Sequence, residues 1–335
     1  MTDRPSVLLF GTGAVGSVYL YLLSKTCDTT AVCRSNYAAA KANGFTIHSP
    51  QIFGETLHFT PRVARTCADA ITLDDGSPVK PFDYIVICSK VTPNTIPALI
   101  APAVTPSHTV IVLLQNGINI EAEYTTAFPT NPIVSGVVYL PVTQTSPGVI
   151  QHGDIERLEL GAYPSSASSA PTKRFAELIR AGGGTAEVWE DVQFKRWAKL
   201  LVNGSWNPIC ALTRSSDVRF MASSDGPMAT DFVFAVMLEI VAIAKAHGYE
   251  KVDEKVATAQ LERFKKRIDT SKGVGSEPSM LADVREGRRM EVEAIVGNAV
   301  RAAKGKGVEC VRLETIYVLA KGLDEAIGRA LKGQK

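Results

Sequence analysis

A lysine and two asparagines recur at a spacing of four residues in the segment KRWAKLLVNGSWNP. They are Lys199, Asn203 and Asn207. If the segment forms one helix, this spacing places all three on the same face over about 12 Å. Because most residues between them are apolar, the helix is expected to be buried, and buried polar groups need hydrogen-bond partners. A small polar substrate would provide them.

The chemistry open to Lys199 is proton transfer. A lysine beside a cofactor can donate a proton to a carbonyl oxygen while hydride reaches the carbon, and its charge stabilises the developing alkoxide. Asn203 and Asn207 can both donate and accept hydrogen bonds, which suits a substrate rich in hydroxyl or carbonyl oxygens. Pro208 predicts a kink at Gly204, since proline crowds the carbonyl four residues earlier. The alternative is that Lys199 extends to solvent and that the asparagines are satisfied core residues.

The composition is that of a globular protein with enough apolar residues for two cores. The 335 residues are 45% hydrophobic with a net charge of +2, which gives no sign of a nucleic-acid or membrane partner. The opening residues run directly into a strand, so we expect no signal or transit peptide. The apolar run FVFAVMLEIVAIA is too short, and interrupted by Glu239, to span a membrane. Composition leaves open whether this helix, Phe232 to Ile243, is core or a homodimer interface.

The cysteines and histidines show no spacing typical of a metal site. No CxxC pair occurs among the six cysteines, and the five histidines are scattered. Reduced thiols, a cytoplasmic location and no bound metal are the simplest interpretation.

The first half of the chain alternates between strand and helix patterns. Apolar runs such as SVLLFG, FDYIVICSK and HTVIVLLQNG are typical of interior parallel strands. Their alternation with helical segments predicts a Rossmann-type, doubly wound α/β sheet over residues 1–190. Two weaker segments, GVIQHG and RLELGAY, are expected near an edge of that sheet. Residues 191–335 show helical patterns alone, which predicts an all-α C-terminal domain.

The motif GTGAVG ends the first predicted strand and opens the first predicted helix. Its glycines allow a tight turn, the approach of a pyrophosphate and close packing of helix on strand. The helix start offers N–H groups and a positive dipole end to phosphates. The predicted cofactor-binding residues of this motif are Gly11, Thr12, Gly13, Ala14, Val15 and Gly16.

The end of the second strand indicates which dinucleotide binds. An NAD site has Asp or Glu there to bind the ribose, whereas this chain has Arg34. A guanidinium can stack on adenine and pair with a 2′-phosphate, which favours NADP(H); the alternative is a surface arginine. Lys90 and Asn116 end two later strands, at the edge where ligands bind in open α/β folds. The alternatives are a solvated lysine and an ordinary Asn-Gly turn.

Together these segments resemble the ketopantoate reductases (2-dehydropantoate 2-reductases) over nearly the whole chain. The resemblance rests on GTGAVG, the Arg34 strand end, LLQNG, KLLVNGSWNP and PSMLADVREGRRMEVEAI. It implies a 2-oxo-acid reductase with an NADP-binding domain, 1–190, and a helical substrate and catalytic domain, 191–335. By this resemblance Lys199 matches the general acid, and Glu291 matches the glutamate that completes the active site. The substrate-side residues that match are Asn203, Asn207 and Ser279, with Asn116 at the cofactor–substrate junction.

Ser279 and Glu291 also have simpler interpretations. Ser279 follows Pro278 and precedes a helical segment, so it is a candidate N-cap. Glu291 falls in the apparent first turn of RMEVEAIVGNAV, where any glutamate is favourable to the helix dipole. Near Lys199, the Glu291 charge would keep the lysine protonated. Their joint occurrence with Lys199, Asn203 and Asn207 favours the functional interpretation.

Three positions depart from the pattern of the family. Ser276 and Asp217 stand where asparagines are common, and Met290 stands where threonine is common. The resemblance therefore implies NADPH-dependent reduction of ketopantoate to pantoate, for pantothenate and coenzyme A synthesis, with an altered pocket. The alternatives are the same machinery acting on another 2-oxo acid or an imine, and a non-catalytic NADPH sensor that binds a partner protein.

Overall fold

The computed structural model describes residues 4–333, which divide into two compact units. One comprises residues 4–115 and 120–192, and the other comprises residues 116–119 and 193–333. The sequence placed the boundary between residues 190 and 191. It gave no sign that the short segment Asn116–Asn119 groups with the helices.

The first unit is built on a mainly parallel sheet. Its strands are β1 (Ser6–Phe10), β2 (Asp28–Val32), β3 (Phe45–Ser49), β4 (Glu55–Phe59), β5 (Arg62–Ala64), β6 (Tyr84–Ile87), β7 (Val110–Leu113), β8 (Ile133–Tyr139), β9 (Val142–Ser146), β10 (Val149–His152), β11 (Arg157–Tyr163) and β12 (Ala186–Val188). Within residues 4–333, eight of these strands form one sheet in the order β12–β11–β8–β7–β6–β1–β2–β5. Only β8 and β11 pair antiparallel in that sheet. The predicted Rossmann-type sheet is confirmed.

A second, smaller sheet lies in the same unit and was not expected. Within the described residues it has four strands in the order β4–β3–β10–β9. The segment GVIQHG, which is β10, was therefore wrongly assigned to the main sheet: it pairs with β3 and β9. Its Ile150 is fully buried in one cluster with Phe45 and Ile47 of β3, which explains the pairing. RLELGAY, as β11, does lie next to the edge strand β12.

The helices of this unit connect the strands. They are α1 (Ala14–Ser24), α2 (Tyr37–Asn43), α3 (Cys67–Ala70), α4 (Ile96–Ile100), α5 (Ala122–Ala127) and α6 (Ala170–Ala181), with a 3₁₀ turn at Ala101–Ala103. Strands β1, β6 and β7 are buried along their whole length. This agrees with their apolar sequences, because interior parallel strands have no solvent face.

Within the described residues the regular secondary structure of the second unit is helical, with loops between the helices, and the predicted all-α domain is confirmed. Its helices are α7 (Gln193–Asn203), α8 (Trp206–Thr213), α9 (Asp217–Met221), α10 (Met228–Ala246), α11 (Glu254–Thr270), α12 (Ser279–Arg285), α13 (Asn298–Lys306) and α14 (Val311–Gly333), with a π-helical turn at Glu293–Gly297. Helix α10 buries Val236, Met237 and Ile240 completely, so its apolar run is explained by the core. A homodimer stays a prediction. Among residues 4–333, no helix combines the length and apolarity needed to cross a membrane.

Candidate active site

The glycine motif has the backbone geometry that a bound dinucleotide requires. Gly11 has a φ of +94°, and a Cβ on it would lie 2.3 Å from the Ser89 nitrogen. A Cβ on Gly16 would lie 2.4 Å from the Gly11 carbonyl oxygen, which explains the close packing of α1. Around Gly13, no atom of the described residues lies within 4 Å of a Cβ position, and its φ is an ordinary −82°. Gly13 therefore leaves room for a ligand to approach its backbone, as the motif predicts.

The start of α1 offers its backbone N–H groups to an anion. Gly13 precedes the helix without a side-chain cap, and the first turn contains no acidic residue, so the helix dipole favours a negative ligand. The hydroxyl of Ser89, just beyond β6, is buried and has no hydrogen-bond partner within residues 4–333. These features fit the phosphates of NADP(H). Of the motif residues, Ala14, Val15 and Gly16 form that first turn.

Thr12 connects the glycine motif to the end of β2. Its side chain donates to the Val32 carbonyl at 3.0 Å, and its carbonyl accepts from Asn36 Nδ2 at 2.6 Å. The Thr12 hydroxyl therefore holds the loop in place, and any contact with the cofactor is left to its backbone. Arg34 is exposed beyond the end of β2, and its side chain makes no hydrogen bond or ion pair within the described part of the chain.

A buried series of side-chain hydrogen bonds links the ends of β6 and β7. Tyr124 donates to Gln115 Oε1 at 2.9 Å, and Gln115 Nε2 donates to the Ser89 carbonyl at 2.9 Å. Burial raises the pKa of Tyr124 far above its usual value, so its hydroxyl keeps the proton that it donates. Lys90 is exposed one residue after Ser89, and its role as a cofactor contact stays a prediction.

Asn116, Lys199 and Glu291 meet within the helical unit. Lys199 Nζ donates to Asn116 Oδ1 at 2.9 Å, and Asn116 Nδ2 donates to Glu291 Oε2 at 3.3 Å. The orientation of the amide follows from chemistry, because an ammonium can only donate and a carboxylate can only accept. All three residues are partly exposed, so a ligand can reach them.

The segment that carries Asn116 is held tightly. The buried Arg196, on α7, donates to the Gly117 carbonyl at 2.9 Å, and Asn298 Nδ2 donates to the Ile118 carbonyl at 2.6 Å. Gly117 has a φ of +101°, and a Cβ on it would lie 2.3 Å from the Ala294 carbonyl oxygen. Glycine is thus required at position 117, because the backbone there lies close to the π-helical turn.

Arg196 and Asn298 were missed by the sequence interpretation. Arg196 carried a usable signal, since it lies three residues before Lys199 in the same apolar segment and hence on the same face. Asn298 carried none, because an asparagine in a helical segment has many ordinary roles.

The helix of Lys199 is interrupted, which corrects the single-face arrangement expected from spacing. Helix α7 ends at Asn203 and α8 begins at Trp206. The break falls at Gly204. In a continuous helix, the ring of Pro208 would crowd the carbonyl group of Gly204. Asn203 is partly exposed, and its side chain has no hydrogen bond among residues 4–333.

Asn207 belongs to a second polar group with Ser279. The Asn207 side chain is buried, and its Oδ1 accepts from Ser279 Oγ at 3.4 Å and from the Met280 nitrogen at 3.5 Å. Ser279 is the first residue of α12, and Pro278 occupies the cap position, so the simple N-cap interpretation was wrong. Glu291 likewise lies just before its helical segment, which starts at Val292, and not in its first turn.

The two asparagine replacements, Asp217 and Ser276, contact each other. Asp217 is fully buried, and its carboxylate accepts from Arg267 Nη1 at 2.6 Å and from the Ser276 nitrogen at 2.6 Å. It also accepts from the Val218 nitrogen at 2.8 Å. The carboxylate of Asp217 is thus used internally. Within the described residues, no group of three or more His, Cys, Asp and Glu side chains is arranged to hold a metal ion.

Models of one protein family match both units. Residues 7–165 match the model described as Ketopantoate reductase PanE/ApbA, and residues 191–324 match the one described as Ketopantoate reductase PanE/ApbA C terminal. The chain is 27% identical over 340 residues to a 2-dehydropantoate 2-reductase of Nostoc sp., a match that covers 100% of this chain and 98% of that protein.

Solved structures share the fold over almost the whole chain. The 2-dehydropantoate 2-reductase from Methylococcus capsulatus is 33% identical with a TM-score of 0.80, covering 96% of this chain and 97% of that one. A D-mandelate dehydrogenase, solved with NADH and anilino(oxo)acetate, has a TM-score of 0.81 at 18% identity, covering 96% and 99%. The second likeness concerns the fold alone.

Proposed function

The chain belongs to the ketopantoate reductase family, and on that premise we propose that it reduces ketopantoate to pantoate with NADPH. Members of this family are NADPH-dependent oxidoreductases. The product would serve pantothenate and coenzyme A synthesis, and a cytoplasmic location is proposed with it. The observation that carries the proposal is the hydrogen-bonded chain of Lys199, Asn116 and Glu291.

Lys199 is proposed to protonate the substrate. Bound NADPH would supply hydride to the keto carbon. The Lys199 ammonium would donate its proton to the keto oxygen, and its charge would stabilise the alkoxide that develops there. Asn116 supports this role because its Oδ1 accepts from the lysine and limits the positions that the ammonium can adopt. Glu291 balances the lysine charge through the same amide, which favours the protonated form.

The carboxylate and hydroxyl groups of the substrate need donors, and Asn207 and Ser279 are proposed to provide them. The Nδ2 group of Asn207 donates to no atom of the described residues, although the residue is buried. The Nδ2 atom is not one of the fully buried polar atoms that lack a partner, so it keeps contact with solvent and is open to an acceptor on a ligand. Asn203 offers a second amide. These roles stay proposals.

The glycine motif and Arg34 are proposed to hold NADP(H). The first turn of α1 would bind the pyrophosphate, and Arg34 would pair with the 2′-phosphate. Lys90 is proposed near the same cofactor, and Asn116 at its nicotinamide end. The proposed substrate is thus a small 2-oxo acid. The proposed assembly is a homodimer.

A different 2-oxo acid is the second candidate substrate. The observation in its favour is Asp217, whose carboxylate is bonded to Arg267 and to backbone amides. An asparagine amide is therefore missing from two places where this family commonly has one. A pocket with fewer amide donors would recognise fewer hydroxyl groups.

The experiment compares substrates directly. NADPH oxidation is measured with ketopantoate and with a panel of 2-oxo acids that lack its hydroxyl or its branched carbon, and with matching imines. We expect kcat/KM for ketopantoate to exceed the others by at least about tenfold. A higher kcat/KM for another 2-oxo acid would replace the substrate and keep the reaction. NADPH binding without turnover of any substrate would favour a non-catalytic sensor.

A further inference from the structure

Two arginines follow the paired strands β2 and β5. These strands are parallel, with Val32 opposite Ala64, and the Cys33 nitrogen donates to the Ala64 carbonyl at 2.9 Å. Arg34 and Arg65 come next along the two strands, and both are exposed. Carboxyl ends of parallel strands meet at one edge of a sheet, which is the ligand-binding edge in open α/β folds.

Arg65 is braced against an aromatic ring. Its guanidinium carbon lies 4.0 Å from the centroid of the Tyr37 ring, and Lys41 Nζ lies 5.8 Å from the same centroid. Stacking of a guanidinium on a ring restrains its position while its N–H groups stay free to bind in their own plane. That arrangement suits a planar or tetrahedral oxyanion.

These cations have no acidic partner within residues 4–333. Neither Arg34, Arg65 nor Lys41 takes part in an ion pair or a side-chain hydrogen bond there. By contrast, Arg4 does form an ion pair with Asp28, which lies at the opposite end of β2. Arg65 and Lys41 both lie against the Tyr37 ring, so their two like charges repel each other, and a multiply charged anion would relieve that repulsion.

The turn between β2 and α2 is tied to the glycine motif. Asn36, which is buried, donates from Nδ2 to the Thr12 carbonyl at 2.6 Å, and the Tyr37 nitrogen donates to the Arg34 carbonyl at 3.3 Å. The position of Tyr37 is thus set relative to the loop proposed to bind the pyrophosphate. In a dinucleotide bound at such a loop, the adenosine ribose extends toward the end of the second strand.

We infer that Arg65, restrained by Tyr37, is a second contact for the 2′-phosphate of NADP(H) beside Arg34, and that it helps the protein to select NADP(H) over NAD(H). This rests on the proposed cofactor. A phosphate monoester carries nearly two negative charges and three acceptor oxygens, more than one guanidinium satisfies. Two arginines from adjacent strands would match that charge.

The test measures binding of NADP⁺ and NAD⁺ to purified protein by calorimetry. Arg65→Gln is expected to weaken NADP⁺ binding by about 10-fold or more, while NAD⁺ binding changes less than about 2-fold. Tyr37→Leu should weaken NADP⁺ binding by about 3-fold, and Tyr37→Phe should leave it near wild type because the ring is kept. The same ranking is expected for 2′,5′-ADP compared with 5′-ADP, which removes the nicotinamide from the comparison.

The matched control is Arg157→Gln. Arg157 also lies over a tyrosine, with 4.3 Å from its guanidinium carbon to the Tyr139 centroid, and should not alter the NADP⁺ to NAD⁺ ratio. An unchanged ratio in Arg65→Gln, in a protein that prefers NADP⁺, would overturn the inference and leave the proposed function intact. A wild-type protein with no preference for NADP⁺ would overturn both.

Discussion

Asn116 joins two opposite charges through one amide. Its carbonyl oxygen accepts from Lys199 and its amide nitrogen donates to Glu291. A neutral amide between a cation and an anion is polarised by both, which strengthens each hydrogen bond. Asn116 should therefore affect proton transfer as much as it affects binding.

Replacement of Asn116 by alanine removes both hydrogen bonds. We expect kcat at saturating NADPH to fall about 10- to 100-fold, because Lys199 loses an acceptor that holds its ammonium in place. Asn119→Gly is the matched control, since Asn119 lies in the same segment, is exposed and has a φ of +53° that glycine also adopts. Equal kcat values in the two variants would contradict the role of Asn116.

The sequence identified these residues singly but did not connect them. Asn116 is 83 positions from Lys199 and 175 positions from Glu291. An apolar context marks a polar side chain as unusual, whereas the meeting of distant segments depends on the whole fold. Arg196 is a different case, because its place three residues before Lys199 on the same helix face was a local signal that could have been used.

At the scale of the elements, Asp217 connects α9 to the segment before α12 and to α11 through hydrogen bonds. Its buried carboxylate binds Arg267 of α11 and the backbone of Ser276. The Ser276 side chain is exposed and does not take part. Of the two departures from the family pattern, the Asp217 side chain therefore contributes to this connection and the Ser276 side chain does not.

Asp217→Asn should destabilise the protein much more than Ser276→Asn. Loss of the carboxylate charge leaves Arg267 without its ion-pair partner, at a cost of about 2–4 kcal/mol, reduced by the partial exposure of Arg267. Ser276→Asn should change the free energy of unfolding by less than about 0.5 kcal/mol. Denaturant unfolding measures both, and similar values for the two variants would show that the contact contributes little.

The π-helical turn after Glu291 is surrounded by charges from α13 and α14. Glu293 accepts from Arg301 at 2.9 Å, from Lys321 at 2.9 Å and from the Tyr317 hydroxyl at 3.1 Å. Burial acts to raise the pKa of Glu293, but the three hydrogen bonds outweigh it and hold the pKa below its ordinary value of 4.5. Such turns are frequent at functional sites. Side-chain periodicity could not reveal this one, because a single π-helical turn shifts the apolar phase once and has no repeat of its own.

Glu293→Gln should lower the free energy of unfolding at neutral pH by about 1–2 kcal/mol. The pKa of Glu293 is lower in the folded state, so its stabilisation is present above about pH 4.5 and is lost as the pH falls through the folded value. The difference between variant and wild type should therefore shrink in acid. Glu325→Gln, which removes an exposed neighbour, is the control and should cost less. A difference independent of pH would argue against an ionised Glu293.

For the whole molecule, the cysteines are expected to be inert. All six are free thiols, and burial raises the pKa of Cys67 and Cys210 to about 12 and that of Cys310 to about 11. Since the thiolate is the reactive form, native protein near pH 8 should react with a disulfide reagent at least about 100-fold more slowly than unfolded protein. Rapid modification of a thiol in the native state would contradict this.

The α/β sheet followed by helices could largely be predicted, because interior strands and amphipathic helices differ in apolar periodicity. The small sheet could not, since β4 and β9 are short and mostly polar. The grouping of Asn116–Asn119 with the helices could not be predicted from the sequence either. It depends on Gly117 and Ile118 contacting the π-helical turn, and no local pattern records that contact.

Lys199→Ala, compared with Lys195→Ala one turn earlier on α7, tests the proposed proton donor most directly. Turnover of the preferred 2-oxo acid and binding of NADPH are measured for both variants. The proposed mechanism predicts that Lys199→Ala lowers kcat by about 100-fold or more while NADPH binds within about 2-fold of wild type, and that Lys195→Ala keeps its turnover. Turnover by Lys199→Ala at nearly the wild-type rate would contradict the mechanism.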